Sequence, residues 1–170
     1  MSPSATNIQS IVYDPAPFSP LKITSKRYTR PDTLSFNDPS AFTLILTHGI
    51  GFHGEYWEPT IEKLFELSSQ NELQQNSGFR IREVWSIDNI GHGQNILANS
   101  EELLKPKYSE RCVLSSLFVT KSIKTICLVS GAMYGQAIHL LLTNKSPTFG
   151  YDFSSHKLVG VGHSFGSIGL

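Results

Sequence analysis

A chain of 170 residues, 39% hydrophobic and 16% charged, is long enough to bury one core and too apolar to be disordered. Its 14 Lys and Arg balance 14 Asp and Glu, so charge gives no argument for a nucleic-acid partner or an anionic membrane. The 2 cysteines, Cys112 and Cys127, form no C-x-x-C pair, which argues against a disulfide framework or a zinc site.

Met1 to Ser10 is polar and lacks the basic-then-apolar pattern of a signal peptide, so a cytoplasmic or peroxisomal location is expected. The C-terminal Ile168-Gly169-Leu170 is not a peroxisomal S-K-L. Ile11 to Tyr13 and Leu21 to Tyr28 read as two strands, separated by a turn carrying Pro15, Pro17 and Pro20. A polar loop, Arg30 to Ser40, follows. Phe42 to Thr47 is a short apolar run of strand formers, the pattern of a central parallel strand buried on both faces.

From Glu58 the period becomes helical, with Pro59 in the first turn. Ile61, Leu64, Phe65 and Leu67 are expected on one face, opposite Glu62, Lys63 and Glu66, and the polar stretch Ser68 to Gly78 is expected to end the helix. Arg80 to Ile87 reads as a strand that stops at Asp88. Residues 131–144 read as a helix presenting Met133, Ala137, Leu140 and Leu141. The uncharged run Thr125 to Asn144 approaches membrane-spanning length, but Gln136, His139, Asn144 and its glycines argue against a stable span. Leu158 to Val161 is a further strand. Alternating strands and helices predict an α/β fold with a mostly parallel sheet and flanking helices. There are no internal repeats.

Three motifs sit at strand ends. Gly162-His163-Ser164-Phe165-Gly166 is a G-x-S-x-G pattern directly after an apolar strand, the context of a nucleophile elbow. Such a turn holds its serine in a strained conformation, and Gly162 and Gly166 leave room for it. His48-Gly49-Ile50-Gly51 leaves the Phe42 to Thr47 strand. Acyl transfer creates an oxyanion that backbone N–H groups aimed at it stabilise, and Ile50 and Phe165 are the expected donors. His48 and Gly49 could equally do no more than turn the chain. Asp88-Asn89-Ile90-Gly91-His92-Gly93-Gln94 follows the strand Arg80 to Ile87 and is expected to form a tight, structural turn. His92 precedes the serine, against the Ser-acid-His chain order of this elbow type, and is not expected to be the base.

Together these motifs resemble those of the α/β-hydrolase family. His48-Gly49 is similar to the family's H-G-x oxyanion motif. Asp88, Gly91, His92 and Gly93 are similar to its D-x-x-G-H-G-x-S turn, with Asn95 where serine is commoner. The texture of His48 to Trp57 and of Phe153 to Gly166 is similar to fungal toxin-biosynthesis and peroxisomal lipase-like members. The resemblance implies a serine hydrolase acting on a small ester or lipid-like molecule through Ser164, with no metal and no organic cofactor.

The chain departs from that pattern twice. The family's acid and histidine follow the elbow, whereas this chain ends at Leu170. His163 should point away from the hydroxyl, and His53, His139 and His156 have no motif-based claim to act as base. The expectation is therefore one C-terminally incomplete hydrolase domain over 1–170, poorly stable and inactive alone, with Leu158 to Val161 as an exposed edge. Residues 109–131 form an atypical insertion, or translated noncoding sequence, which the transcript would decide. The competing functional readings are a non-catalytic scaffold and a fragment completed by another chain.

Overall fold

The computed structural model describes residues 5–31, 33–73, 78–105, 131–144 and 149–170. The insertion expected at 109–131, with Cys112 and Cys127, lies outside the described residues except for Gly131.

The five described strands are β1 (Asn7–Tyr13), β2 (Ile23–Thr29), β3 (Phe42–Thr47), β4 (Ile81–Ile87) and β5 (Lys157–Gly162). They form one sheet in the order β1-β2-β4-β3-β5. β1 and β2 form an antiparallel hairpin, and β2 pairs antiparallel with β4. β3 runs parallel to β4 on one side and to β5 on the other. The sheet is therefore mixed, with a parallel core.

The helices are α1 (Leu34–Asn37), α2 (Glu58–Leu73), α3 (Gly93–Ala98), α4 (Ser100–Leu103) and α5 (Gly131–Leu142). Leu44 and Leu46 of β3 and Val84 of β4 pack with Ile61 and Phe65 of α2 on one face. Ile45 of β3, with Trp85 and Ile87 of β4, packs with Tyr134, Ala137, Ile138 and Leu141 of α5 on the other. Coverage of both faces is why β3 is apolar without alternation. No helix among the described residues is long and apolar enough to cross a membrane.

Several boundaries differ from expectation. β1 begins at Asn7, because its backbone pairs along the whole of β2 although its first residues are polar. α2 continues through the polar stretch to Leu73. Its inward stripe is Ile61, Leu64, Phe65 and Ser68, while Leu67 is 38% exposed. Ser68 is tolerated inside because its Oγ accepts the Ile81 N–H at 2.9 Å. In α5 the buried residues are Tyr134, Ala137, Ile138 and Leu141, so the stripe is rotated from the expected one. The Tyr134 hydroxyl satisfies itself by donating to the Ile87 carbonyl at 2.6 Å.

Among the described strands β5 lies at the edge of the sheet. Its apolar residues are open to solvent, with Leu158 41% exposed and Val159 and Val161 each 37%.

The face assignment of α2 has a direct check. Phe65→Ala should cost about 3–5 kcal/mol, and Leu67→Ala no more than about 0.5 kcal/mol. Urea unfolding followed by circular dichroism measures both; equal costs would mean the stripe is wrongly placed.

Candidate active site

β5 ends at Gly162, His163 is still extended, and Ser164 turns sharply with φ +53° into a 3-10 helix, Ser164–Ile168. Ser164 is the sole non-glycine residue with positive φ among the described residues. A serine in that conformation costs about 1–3 kcal/mol and persists only where its surroundings enforce it.

The enforcement comes from two glycines and one threonine. A methyl group on Gly162 would stand 2.6 Å from the Ser167 Cα, and one on Gly166 would stand 2.5 Å from the Thr47 carbonyl oxygen. Neither position has room for a side chain. Thr47, at the end of β3, is fully buried and binds the turn twice. Its carbonyl accepts the His163 N–H at 3.0 Å, and its hydroxyl donates to the Gly166 carbonyl at 2.9 Å. The elbow is thus an extension of the β3–β5 ladder, closed by a side chain.

The segment 48–54 leaves β3 alongside this turn. At Gly49 a methyl group would lie 3.0 Å from His163 Nδ1 and 3.2 Å from the Ser164 Cβ. A side chain there would crowd His163 and Ser164, so the glycine serves a close approach and not only a bend. Ile50 is 43% exposed. No acceptor among the described residues takes the N–H of Ile50 or of Phe165.

The turn after β4 holds this segment from behind. His48 is fully buried; its Nδ1–H donates to the Gly49 carbonyl at 2.9 Å and its Nε2 accepts the Asn89 N–H at 3.1 Å. His92 reaches in the opposite direction, its Nε2 accepting the Gly51 N–H at 3.1 Å. The two rings meet edge-on, 5.6 Å apart. Asp88 Oδ1 accepts the Gly54 N–H at 2.8 Å, and Ser86 Oγ donates to the Gly54 carbonyl at 3.0 Å. Asp88 Oδ2 accepts the Gln94 N–H at 3.2 Å and the Thr24 hydroxyl at 3.3 Å. Gly93, at φ +53°, passes so near this carboxylate that a methyl group would stand 2.5 Å from Oδ2. Gly91 N–H is taken by Asn89 Oδ1 at 3.1 Å.

Two asparagines tie the segment after this turn to β2 and to the residue before it. Asn95 Oδ1 accepts the Thr24 N–H at 2.7 Å, and its amide donates to the Asp88 carbonyl at 2.6 Å. Asn99 accepts the Lys22 N–H at 2.7 Å and donates to the Lys22 carbonyl at 2.9 Å, as a neighbouring strand would. The spacing of Asn95 and Asn99, one helical turn apart, was the available signal for this pair.

The remaining histidines serve elsewhere. His163 packs its ring on Phe52 and Tyr56, at 5.6 and 5.4 Å between centroids. His156 Nδ1 bonds the Thr43 hydroxyl at 2.8 Å. His53 is exposed and pairs with Glu55, and His139 is exposed on α5. No described imidazole hydrogen-bonds to Ser164. Burial, and secondarily the nearby His48, push the His92 pKa below the ordinary imidazole value, with Asp88 opposing.

A parallel-cored sheet with helices on both faces and a serine on a strained strand-to-helix turn constitute an α/β-hydrolase-like fold. No protein-family model matches the chain. Two proteins of Penicillium brevicompactum, the type I acyl-CoA thioesterases mpaH' and mpaH, are each 36% identical to it over 83 residues, 49% of this chain and 17% of theirs. The match thus spans well under two thirds of those relatives. Among solved structures, the peroxisomal alpha-beta-hydrolase Lpx1 of Saccharomyces cerevisiae aligns with 98% of this chain and 39% of its own, with a TM-score of 0.49 and 17% identity.

Two measurements test this geometry. Gly166→Ala should destabilise the protein by more than about 2 kcal/mol, because the obstructing atoms are backbone; a variant of unchanged urea midpoint would contradict the elbow. The second concerns pH. With its folded pKa below 6.5, His92 takes up a proton more readily when unfolded, so stability should fall as pH drops through and below 6.5. His156, also lowered chiefly by burial, adds a contribution of the same sign. The melting temperature should therefore decline from pH 7 to pH 5, and less steeply in His92→Asn. Parallel curves would rule His92 out as a source.

Proposed function

We propose that this chain carries the nucleophile half of a serine acyl hydrolase, with Ser164 attacking the carbonyl of an ester or thioester. The observation that carries the reading is Ser164 itself, an exposed hydroxyl-bearing residue at φ +53° between two glycines that cannot bear side chains. Strain enforced at that cost by surrounding backbone is typical of functional positions. The amides of Ile50 and Phe165 would stabilise the oxyanion; neither N–H has an acceptor among the described residues. His48, Gly49, Asp88, Gly91, His92 and Gly93 would act as positioning residues, holding the segment that contains Ile50. The short match to fungal acyl-CoA thioesterases favours a thioester or related acyl compound as substrate class.

A second reading is a binding or scaffold protein that keeps the fold without the chemistry. It is favoured by the placement of the described histidines, none of which bonds to Ser164 and could activate it. A fluorophosphonate separates the two. An activated serine gives labelling that Ser164→Ala abolishes. Folded protein that resists labelling, or that labels equally well in Ser164→Ala, is a scaffold.

A further inference from the structure

We propose that Phe52, Tyr56 and the ring of His163 form a wall that seats the apolar acyl chain of the substrate, so that acyl-chain length governs selectivity. The inference rests on the reading of Ser164 as nucleophile and adds where its substrate lies.

The wall begins beside the reactive position. His163 immediately precedes Ser164, and its ring touches both Phe52 and Tyr56. Phe52 and Tyr56 contact each other at 4.6 Å between centroids, and Tyr56 leans on Trp57 at 5.6 Å. The wall is aromatic and open: Phe52 is 40% and Tyr56 44% exposed, and Ile50 in the same segment is 43% exposed. Grouped exposed apolar side chains of this kind mark binding grooves more than single ones do. The segment is not loose, since Gly51 and Gly54 are pinned by His92, Asp88 and Ser86. Its aromatic residues are held outward by a braced backbone.

The wall presents mainly ring carbon to an alkyl chain. His163 Nδ1 and Trp57 Nε1 are both buried and without a partner among the described residues, which leaves the Tyr56 hydroxyl as a polar tip on an otherwise aromatic surface. The Glu55 carboxylate in the same segment is taken up by Lys26 at 2.8 Å and by His53. The ring planes are inclined to one another by 51°, 32° and 84°. They offer no common flat face on which a base or sugar would stack, whereas a flexible chain can follow an uneven surface.

The test uses the full chain and two simple carboxylates, acetate and octanoate, titrated with tryptophan fluorescence and amide NMR shifts as readouts. Octanoate should bind at least about tenfold more tightly than acetate. The double variant Phe52→Ala, Tyr56→Ala should lose about tenfold in octanoate affinity, the equivalent of uncovering roughly two methylenes. Both side chains are nearly half exposed, so the fold should survive, and Phe52→Leu should retain most of the affinity as a check. Failure of fluorophosphonate labelling with octanoate binding intact would defeat the nucleophile alone. Undiminished octanoate affinity in the double variant, equal affinity for acetate and octanoate, or binding only to phosphatidylcholine vesicles would overturn the wall.

Discussion

Everything at the open end of the sheet depends on how closely two backbones approach at Thr47. This residue ends the central strand and meets the turn after β5 through its carbonyl and its hydroxyl at once. The approach leaves no space for a Cβ at Gly166, and the tightness of the turn leaves none at Gly162. Those exclusions force Ser164 into the left-handed region, where only an over-determined setting would keep a serine. The exposed hydroxyl is thus a consequence of parallel pairing between β3 and β5, carried one residue too far for a regular helix to begin.

Behind the elbow, polar side chains substitute for strand pairing where the sheet runs out. His48 and His92 cross between the two strand-exit segments in opposite senses, each accepting an amide of the other's segment. Asp88 and Ser86 hold Gly54 by its N–H and its carbonyl. Asn95 and Asn99 supply to Thr24 of β2 and to Lys22 just before it the hydrogen bonds that no neighbouring strand provides there. Buried backbone groups in such loops would otherwise lack partners, at a cost of about 1–3 kcal/mol each. The result is a rigid frame that leaves Ile50, Phe52 and Tyr56 on the surface.

Much of this was legible in the residue order. Three strand-end motifs marked the three segments that converge, and the uniform apolarity of Phe42 to Thr47 marked the strand with both faces covered. The helix faces were less legible. Leu67 is more hydrophobic than Ser68, yet Ser68 is inside because an unpaired β4 amide needs its oxygen. Periodicity counts apolar residues and cannot register such a partner. β1 was shortened for the same reason: its pairing is carried by backbone, to which side-chain pattern is blind.

By itself, the sequence determined the α/β class, the position of the strand-to-helix turn and the need for small residues at Gly162 and Gly166, because these follow from local pattern and local sterics; the crowding at Gly49 came only with the fold. Tertiary structure alone decided that Thr47 closes the turn, that His48 and His92 are braces, and that the aromatic side chains of residues 52 and 56 gather on His163. Those facts join residues distant along the chain. Their hydrogen bonds and ring contacts exist only once the sheet has set strands β3, β4 and β5 side by side.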